Sequence, residues 1–294
     1  AREDVAGVRL LADHVIERHY PDLRGHDEPY AALLQAVAGR QAALVARWLQ
    51  VGFIHGVMNT DNMTVSGETI DFGPCAFMDE YDPATVFSYI DRRGRYAYGN
   101  QPHILQWNLA RLAEALLPLL GDDSERAIER ATAVVNALPG QFGAHWLSGF
   151  RRKLGLATAA PEDESLIRDL LAAMQESRAD FTNTFRGLAD VAAGLAETAP
   201  GLEAWTERWR ARALDEGRAG SALAAALRRV NPAYIPRNHQ VEAALSAAVE
   251  RDDFAPFHRL RAVLSRPFDD QPDAAGFAAP PAAHERVRNT FCGT

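Results

Sequence analysis

The sequence predicts a mainly α-helical fold with one short β-hairpin. Over most of the 294 residues, apolar side chains recur every three or four positions, which is the spacing of an amphipathic helix. One stretch differs, because two short apolar runs at 63–65 and 69–71 flank the turn-forming residues Ser66-Gly67-Glu68. Hydrophobic residues make up 47% of the chain, so a substantial core can be buried.

Two helices are expected before the hairpin. Asp4 is a suitable N-cap for a helix over residues 5–19, and Pro21 ends that segment. A second, longer helical segment starts at Asp27-Glu28-Pro29 and is ended by Gly52. The chain then passes directly into the residues that precede the hairpin.

The part of the chain after the hairpin divides into an irregular segment, a helical region and a tail. Residues 74–103 are rich in turn formers, charges and aromatics, so we expect an irregular segment that can shape a substrate site. Helical patterns follow at 105–120, 124–138, 164–175, 188–197, 203–213 and 223–230. Residues 265–283 are rich in Pro, Asp and Ala and predict an extended tail. The expected organisation is therefore a first part at 1–120, a helical extension at 121–264 and a tail at 265–294.

The hairpin and the residues before it carry the chemistry. Residues 55–73 read HGVMNTDNMTVSGETIDFG, with Asn62 just before the first strand and Asp71 just after the second. A hairpin therefore brings their side-chain oxygens together. Mg²⁺ prefers hard oxygen ligands and takes the remaining ones from water and substrate phosphates. The sequence predicts a magnesium site formed by Asn62 and Asp71.

The order of these residues is that of protein kinases. In kinases a catalytic-loop Asn and the Asp of Asp-Phe-Gly hold the metal ions, and an Asp two residues after the loop His accepts the substrate proton. Counting from His55, that position is Val57, which cannot accept a proton, and the nearest carboxylate is Asp61. Two interpretations stay open: a catalytically inactive kinase relative, or an enzyme in which Asp61 is the base or positions phosphate. His55 either braces the loop or is a packed structural residue.

Four segments resemble the selenoprotein O family: HGVMNTDNM, TIDFGPCAFMDEYDP, GRYAYGNQP with WNLARLAEALLPL, and the closing TFCGT. The resemblance spans almost the whole chain. It implies a kinase-like fold and protein adenylyltransferase activity, in which AMP moves from a flipped ATP to Ser, Thr or Tyr hydroxyls of proteins. It also implies that Asp61 is the proton acceptor and that Asn62 and Asp71 bind Mg²⁺ or Mn²⁺, Asp71 contacting ATP through the metal.

The resemblance further implies a nucleotide-binding N-lobe ahead of residues 1–50. The sequence contains no Gly-rich phosphate loop and no strand Lys with a helix Glu partner, which are the groups that such a lobe carries. The expected architecture is a kinase-like C-lobe with a helical C-terminal extension, whose missing partner is the N-lobe of the same protein. The isolated chain is expected to bind ATP weakly and to be inactive or weakly active.

The chain has two cysteines, Cys75 and Cys292. Members of the family carry a reactive Cys or selenocysteine near the C-terminus, and some bridge it to the activation segment. The resemblance therefore implies a redox role for Cys292, with Cys75 as the candidate partner, although many relatives place that cysteine farther downstream, near Phe87 here. The alternative is that Cys75 is a small buried hydrophobe and Cys292 a surface thiol.

Other polar clusters are interpreted as structural. The acidic cluster of Asp79, Glu80 and Asp82 predicts a solvated surface, and the arginines at 92, 93 and 95 predict surface charge that could also contact phosphate or protein acids. Segments 180–186 and 231–239 predict hydrogen bonds to buried backbone groups or pairs with carboxylates. The alternative for these two segments is docking against the N-lobe or a protein substrate.

Composition narrows the class of partner. A net charge of −8 argues against nucleic acid, and no apolar run approaches a membrane span. We therefore expect protein substrates, no nucleic acid, no membrane and, in a bacterium, a cytoplasmic location, with room for a targeting segment in a missing N-terminus. Two other functions stay open: a true kinase that transfers the γ-phosphate, and a non-catalytic pseudokinase scaffold.

Overall fold

The computed structural model describes residues 4–291, and this part of the chain is mainly helical, as predicted. It contains one antiparallel sheet of two short strands. In chain order the elements are α1 (Val5–His19), α2 (Pro29–Val51), β1 (Phe53–Ile54), β2 (Ala76–Phe77), α3 (Gln101–Leu116), α4 (Ser124–Lys153), α5 (Asp163–Ser177), α6 (Phe181–Ala193), α7 (Glu203–Asp215), α8 (Gly220–Val230), α9 (Asn238–Arg251), α10 (Ala255–Leu264) and α11 (Ala275–Ala278).

The first two helices begin and end where the sequence predicts. The Asp4 carboxylate accepts a hydrogen bond from the Gly7 amide at 2.8 Å, which caps α1. Gly52 ends α2 with φ of 73° and donates its amide to the Trp48 carbonyl. A side chain at Gly52 would also meet the Phe181 ring at 3.2 Å, so both backbone and packing favour glycine there.

The hairpin is smaller than predicted. Its two runs share a single antiparallel bridge between Met63 and Thr69, whereas the sheet is formed by β1 and β2 on either side of the hairpin. The reason is local. The Thr64 hydroxyl accepts from the Glu68 amide at 3.0 Å and donates to the Glu68 carbonyl at 2.7 Å, so a side chain replaces the next backbone pair.

Helix α4 is twice as long as its predicted segment, which ended before Pro139. A proline inside a helix leaves the carbonyl four residues earlier, here that of Val135, without its usual donor. The Gln106 side chain on α3 donates to that carbonyl at 3.3 Å. A neighbouring helix thus supplies the missing hydrogen bond, and α4 continues to Lys153.

Helix α6 begins seven residues before its predicted start at 188. The Asp180 carboxylate accepts from the Asn183 amide at 2.8 Å and caps the helix, which ends at Gly194 in the left-handed conformation. The tail after 264 is also less extended than predicted, because it includes a 3₁₀ turn at Pro272–Ala274 and then α11.

Helix α2 lies at the centre of the main hydrophobic core. It packs against α3, α4 and β1, and the core extends from α1 to α8. A second, small cluster joins Tyr234, Val263 and Ala274 near the tail. Because α2 is buried along most of its length, it fixes the position of the loop that follows it. Within residues 4–291, no helix is both long and apolar enough to cross a membrane.

Candidate functional site

His55 joins the loop after β1 to the residue before Asp71. Its side chain is fully buried, with Nε2 2.9 Å from the Ile70 carbonyl oxygen and Nδ1 3.4 Å from the Val57 amide. These partners assign a neutral ring that donates from Nε2 and accepts at Nδ1. Burial lowers the pKa of His55, which favours the same neutral form. The predicted bracing role fits this geometry.

Asn62 is held on the same loop. It ends the 3₁₀ turn Thr60–Asn62, and its side-chain nitrogen donates to the Val57 carbonyl at 3.1 Å. The amide oxygen is thereby left available for another partner. A continuous series of hydrogen bonds and backbone links therefore runs from Asn62 through Val57, His55 and Ile70 to Asp71.

Asp71 has an unusual backbone conformation. Its φ is 53°, which is uncommon for a residue with a side chain and often marks a functional position. The residue is exposed, and its carboxylate lies near His55 and Cys75: its charge partly offsets the lowering of the His55 pKa by burial and adds to the raising of the Cys75 pKa by burial. Within residues 4–291, neither Asp61 nor Asp71 forms a salt bridge, so both carboxylates are available to a ligand.

Gly56 allows the loop to approach the segment after Asp71. Its φ is 85°, and a Cβ atom there would lie 2.9 Å from the Pro74 carbonyl oxygen. Any side chain would be strained by the backbone and would also contact Pro74 too closely. Glycine is therefore required where the two halves of the site, the loop of residues 55–62 and the segment around Asp71, come close together.

Buried polar side chains on the helices position both halves, and the sequence analysis did not identify them. The sequence signal that could have identified them is a polar residue on an otherwise apolar helix face. The bonds are Gln41 on α2 to the Thr64 carbonyl, Trp48 on α2 to the Thr69 hydroxyl at 2.9 Å, Gln101 on α3 to the His55 amide and Phe53 carbonyl at 3.0 Å each, and Asn108 on α3 to the Met58 carbonyl at 3.0 Å.

The donor set suits a cation that is shared with a substrate. The described residues contain no cluster of three His, Cys, Asp or Glu side chains that could hold a metal ion alone. Asn62 and Asp71 offer one amide oxygen and one carboxylate. Mg²⁺ is commonly bound through one or two protein oxygens, with waters and phosphates completing its octahedron. Asn62 and Asp71 therefore provide donor atoms of the kind that Mg²⁺ prefers.

Cys75 lies beside this site, and Cys292 lies outside the described residues. The Cys75 sulfur is 3.4 Å from the Phe72 carbonyl oxygen, and burial raises its pKa, which favours the thiol over the reactive thiolate. The described tail reaches the same region. The Thr290 hydroxyl donates to the Pro74 carbonyl at 2.5 Å.

The acidic cluster is not simply solvated. Asp79 forms an ion pair with the buried Arg237 at 2.7 Å, so the surface interpretation is wrong for this residue. Glu80 pairs with Arg178 at 2.8 Å. Only Asp82 of the three is exposed, and it accepts from a nearby backbone amide at 2.9 Å. The structural interpretation of the 231–239 segment is confirmed by the pair that its arginine makes.

The arginines that follow lie on the surface. Arg92, Arg93 and Arg95 are exposed, and none forms a salt bridge with another residue in the 4–291 range. The Arg95 guanidinium lies 4.9 Å from the centroid of the Trp107 ring. Surface charge is therefore their observed state.

Comparison with known proteins identifies close relatives. The family model described as "Protein adenylyltransferase SelO" matches residues 1–265. A protein nucleotidyltransferase YdiU from Rhizobium etli (strain CIAT 652) is 58% identical, with 100% of this chain and 61% of the relative covered. Similar proteins of the same name from Bradyrhizobium sp. (strain BTAi1 / ATCC BAA-1182) and Rhodopseudomonas palustris (strain BisB18) are 58% and 57% identical, with 100% of this chain and 62% of each relative covered. The chain thus spans about three fifths of the length of these relatives.

Proposed function

Because the chain belongs to the SelO family of protein adenylyltransferases, we propose that it contributes the catalytic loop and metal site for moving AMP from ATP to hydroxyl groups of other proteins. The relatives named above are protein nucleotidyltransferases, which supports transfer of a nucleotide. The observation that carries the proposal is the buried His55, because its two hydrogen bonds hold the loop of Asp61 and Asn62 against the residue before Asp71.

Asp61 is the proposed base. It lies in the 3₁₀ turn next to Asn62, is exposed, and forms no salt bridge with any residue between 4 and 291. Attack on the α-phosphorus requires a group that accepts or orients the proton of the incoming hydroxyl. A carboxylate that is exposed and pairs with no cationic side chain within residues 4–291 can accept that proton, whereas the apolar side chain of Val57 cannot.

Asn62 and Asp71 are the proposed ligands of Mg²⁺ or Mn²⁺. A bound cation would neutralise charge on the triphosphate of ATP. The protein contributes the positions of the two oxygens, since the Asn62 amide nitrogen is already engaged and Asp71 is turned by its left-handed backbone. The order of the catalytic loop, Asn62 and Asp71 along the chain is the basis for proposing a kinase-like C-lobe.

A redox role for Cys75 with Cys292 is also a proposal. It is supported by the described tail, which reaches Pro74 through Thr290. The raised pKa of Cys75 points to slow reaction of that thiol at neutral pH.

The experiment is a transfer assay on the full-length gene product. The protein is incubated with Mg²⁺, ATP and a mixture of acceptor proteins, and product masses are compared for wild type, Asp61→Asn and Asp71→Asn. Asp122→Asn is the matched control, because Asp122 is an exposed carboxylate far along the chain from the site.

We expect addition of AMP by wild type and the control, with loss of at least about two orders of magnitude in both site variants. Addition of phosphate instead of AMP would identify an ordinary kinase. No addition by wild type to itself or to any acceptor would favour the scaffold.

A further inference from the structure

A cavity lies beneath the proposed catalytic loop, on the side formed by α2 and α3. Its volume is about 310 Å³, which is at the small end of ligand sites. Most of its wall is apolar, contributed by Val37, Met63, Leu105, Leu109 and Leu112. Neither Asp61 nor Asn62 lines it, so the cavity is separate from the metal site described above.

Two buried amide side chains in this wall have unused oxygens. Gln41 is 4% exposed and Asn108 is 7% exposed, and both line the cavity. The Oε1 atom of Gln41 and the Oδ1 atom of Asn108 have no hydrogen-bond partner among residues 4–291. Buried polar atoms are nearly always paired, because leaving one unpaired costs about 1–3 kcal/mol. Two such atoms on side chains that line one cavity therefore point to a missing donor.

Turning the amides over would not remove the problem. The Gln41 nitrogen donates to the Thr64 carbonyl, and the Asn108 nitrogen donates to the Met58 carbonyl. A flip would place an oxygen against each carbonyl and lose both bonds. The orientation is therefore fixed by the loop, and the oxygens stay available as acceptors.

We propose that the cavity binds a small, largely apolar molecule that carries a neutral hydroxyl or N–H donor. The wall contains no carboxylate, and its one charged residue is Arg111, whose guanidinium pairs with Glu114 at 2.6 Å. An ammonium ion would therefore meet no opposite charge. Both amide oxygens are buried in this conformation, so neighbouring side chains must move as the ligand binds.

A ligand in the cavity would act on the catalytic loop through the cavity wall. Thr60, Met63 and Thr64 line the cavity and flank Asp61 and Asn62 in the chain. A ligand held by these walls would restrict the motion of the loop. This consequence for activity rests on the proposed function, whereas binding itself does not, so the two can fail separately.

The test uses indole and indene as probes with the same full-length gene product as the transfer assay. The two molecules have nearly the same shape, but only indole has an N–H donor. Affinity is measured by calorimetry for wild type and for Ala115→Leu, which places extra bulk at the cavity wall. Ala110→Leu is the matched control, because Ala110 lies on the same helix and does not line the cavity.

We expect indole to bind roughly five- to tenfold more tightly than indene, which is the worth of one hydrogen bond to a buried acceptor. Ala115→Leu should weaken both, and Ala110→Leu should change neither. Equal affinities would show that the oxygens are satisfied by water and would overturn the donor requirement. Absence of binding, or binding unaffected by Ala115→Leu, would overturn the site.

Discussion

Replacing His55 by Phe tests whether the imidazole holds the two halves of the site together. Phenylalanine keeps an aromatic ring against Trp48, whose ring centroid is 5.3 Å from that of His55, and removes both hydrogen bonds. The Ile70 carbonyl and the Val57 amide then lose their partner. Each unpaired group costs about 1–3 kcal/mol when buried. Ile70 is 37% exposed and the Val57 bond is long at 3.4 Å, so both costs fall at the low end.

The summed loss is about 2–3 kcal/mol, which is smaller than the usual 5–15 kcal/mol of unfolding free energy. His55→Phe should therefore fold, with a melting temperature lowered by about 5–10 °C. Nucleotide transfer should fall by about ten- to a hundredfold, since small displacements of catalytic groups have effects of this size. Circular dichroism and the transfer assay measure the two effects. His14→Phe, on the exposed face of α1, is the control.

The pH dependence of stability gives an independent check on His55. Burial lowers the pKa of the folded ring, whereas the unfolded ring keeps its ordinary pKa of about 6.5. Below that pH the unfolded chain gains a proton that the folded chain resists, so the stability present above about pH 6.5 is lost on acidification. Urea unfolding at pH 7 and pH 5 should show a smaller loss in His55→Phe. Full transfer activity in a destabilised His55→Phe would refute the bracing role.

Three further predictions concern other residues. Gly56→Ala should reduce transfer at least about tenfold in the assay, whereas Gly94→Ala, which also has positive φ but no contact under 3.7 Å, should keep activity near wild type. Burial lowers the pKa of Lys153 to about 7, so wild-type stability should rise by about 2–3 kcal/mol between pH 7 and pH 9, as the folded amine loses its proton before the unfolded one. Urea unfolding should show no such rise in Lys153→Met. Thr290→Val removes the hydroxyl bond to Pro74. Hydrogen exchange of the backbone amide at position 290 should then accelerate several-fold, which corresponds to a loss of about 1 kcal/mol in the free energy of opening. Unchanged exchange would show that the tail is held without this bond.

The sequence predicts the elements that local chemistry determines. Asp4 and Gly52 have side-chain and backbone preferences that mark helix ends whatever surrounds them, and both helices have the predicted bounds. The hairpin is also local, but its second pair is lost to the Thr64 hydroxyl, a competition that apolar spacing does not reveal.

Features that depend on a neighbouring helix were not predictable. Pro139 ends a helix by every local rule, and α4 continues because Gln106 from α3 supplies a donor to Val135. For the same reason, the sequence named Asp61 and Asp71 from their order but missed the buried polar side chains that support them. Those roles depend on partners far away in the chain.

The most direct test of the proposed metal site measures the binding of Mn²⁺. Mn²⁺ is added with ATP to the full-length gene product, and bound Mn²⁺ is followed by electron paramagnetic resonance in wild type, Asn62→Ala, Asp71→Asn and the Asp122→Asn control. We predict that each of the two site substitutions weakens Mn²⁺ binding by at least about tenfold, and that the control binds as wild type does. Unchanged Mn²⁺ affinity in both Asn62→Ala and Asp71→Asn would contradict the claim that the loop and the residues after the hairpin form one metal site.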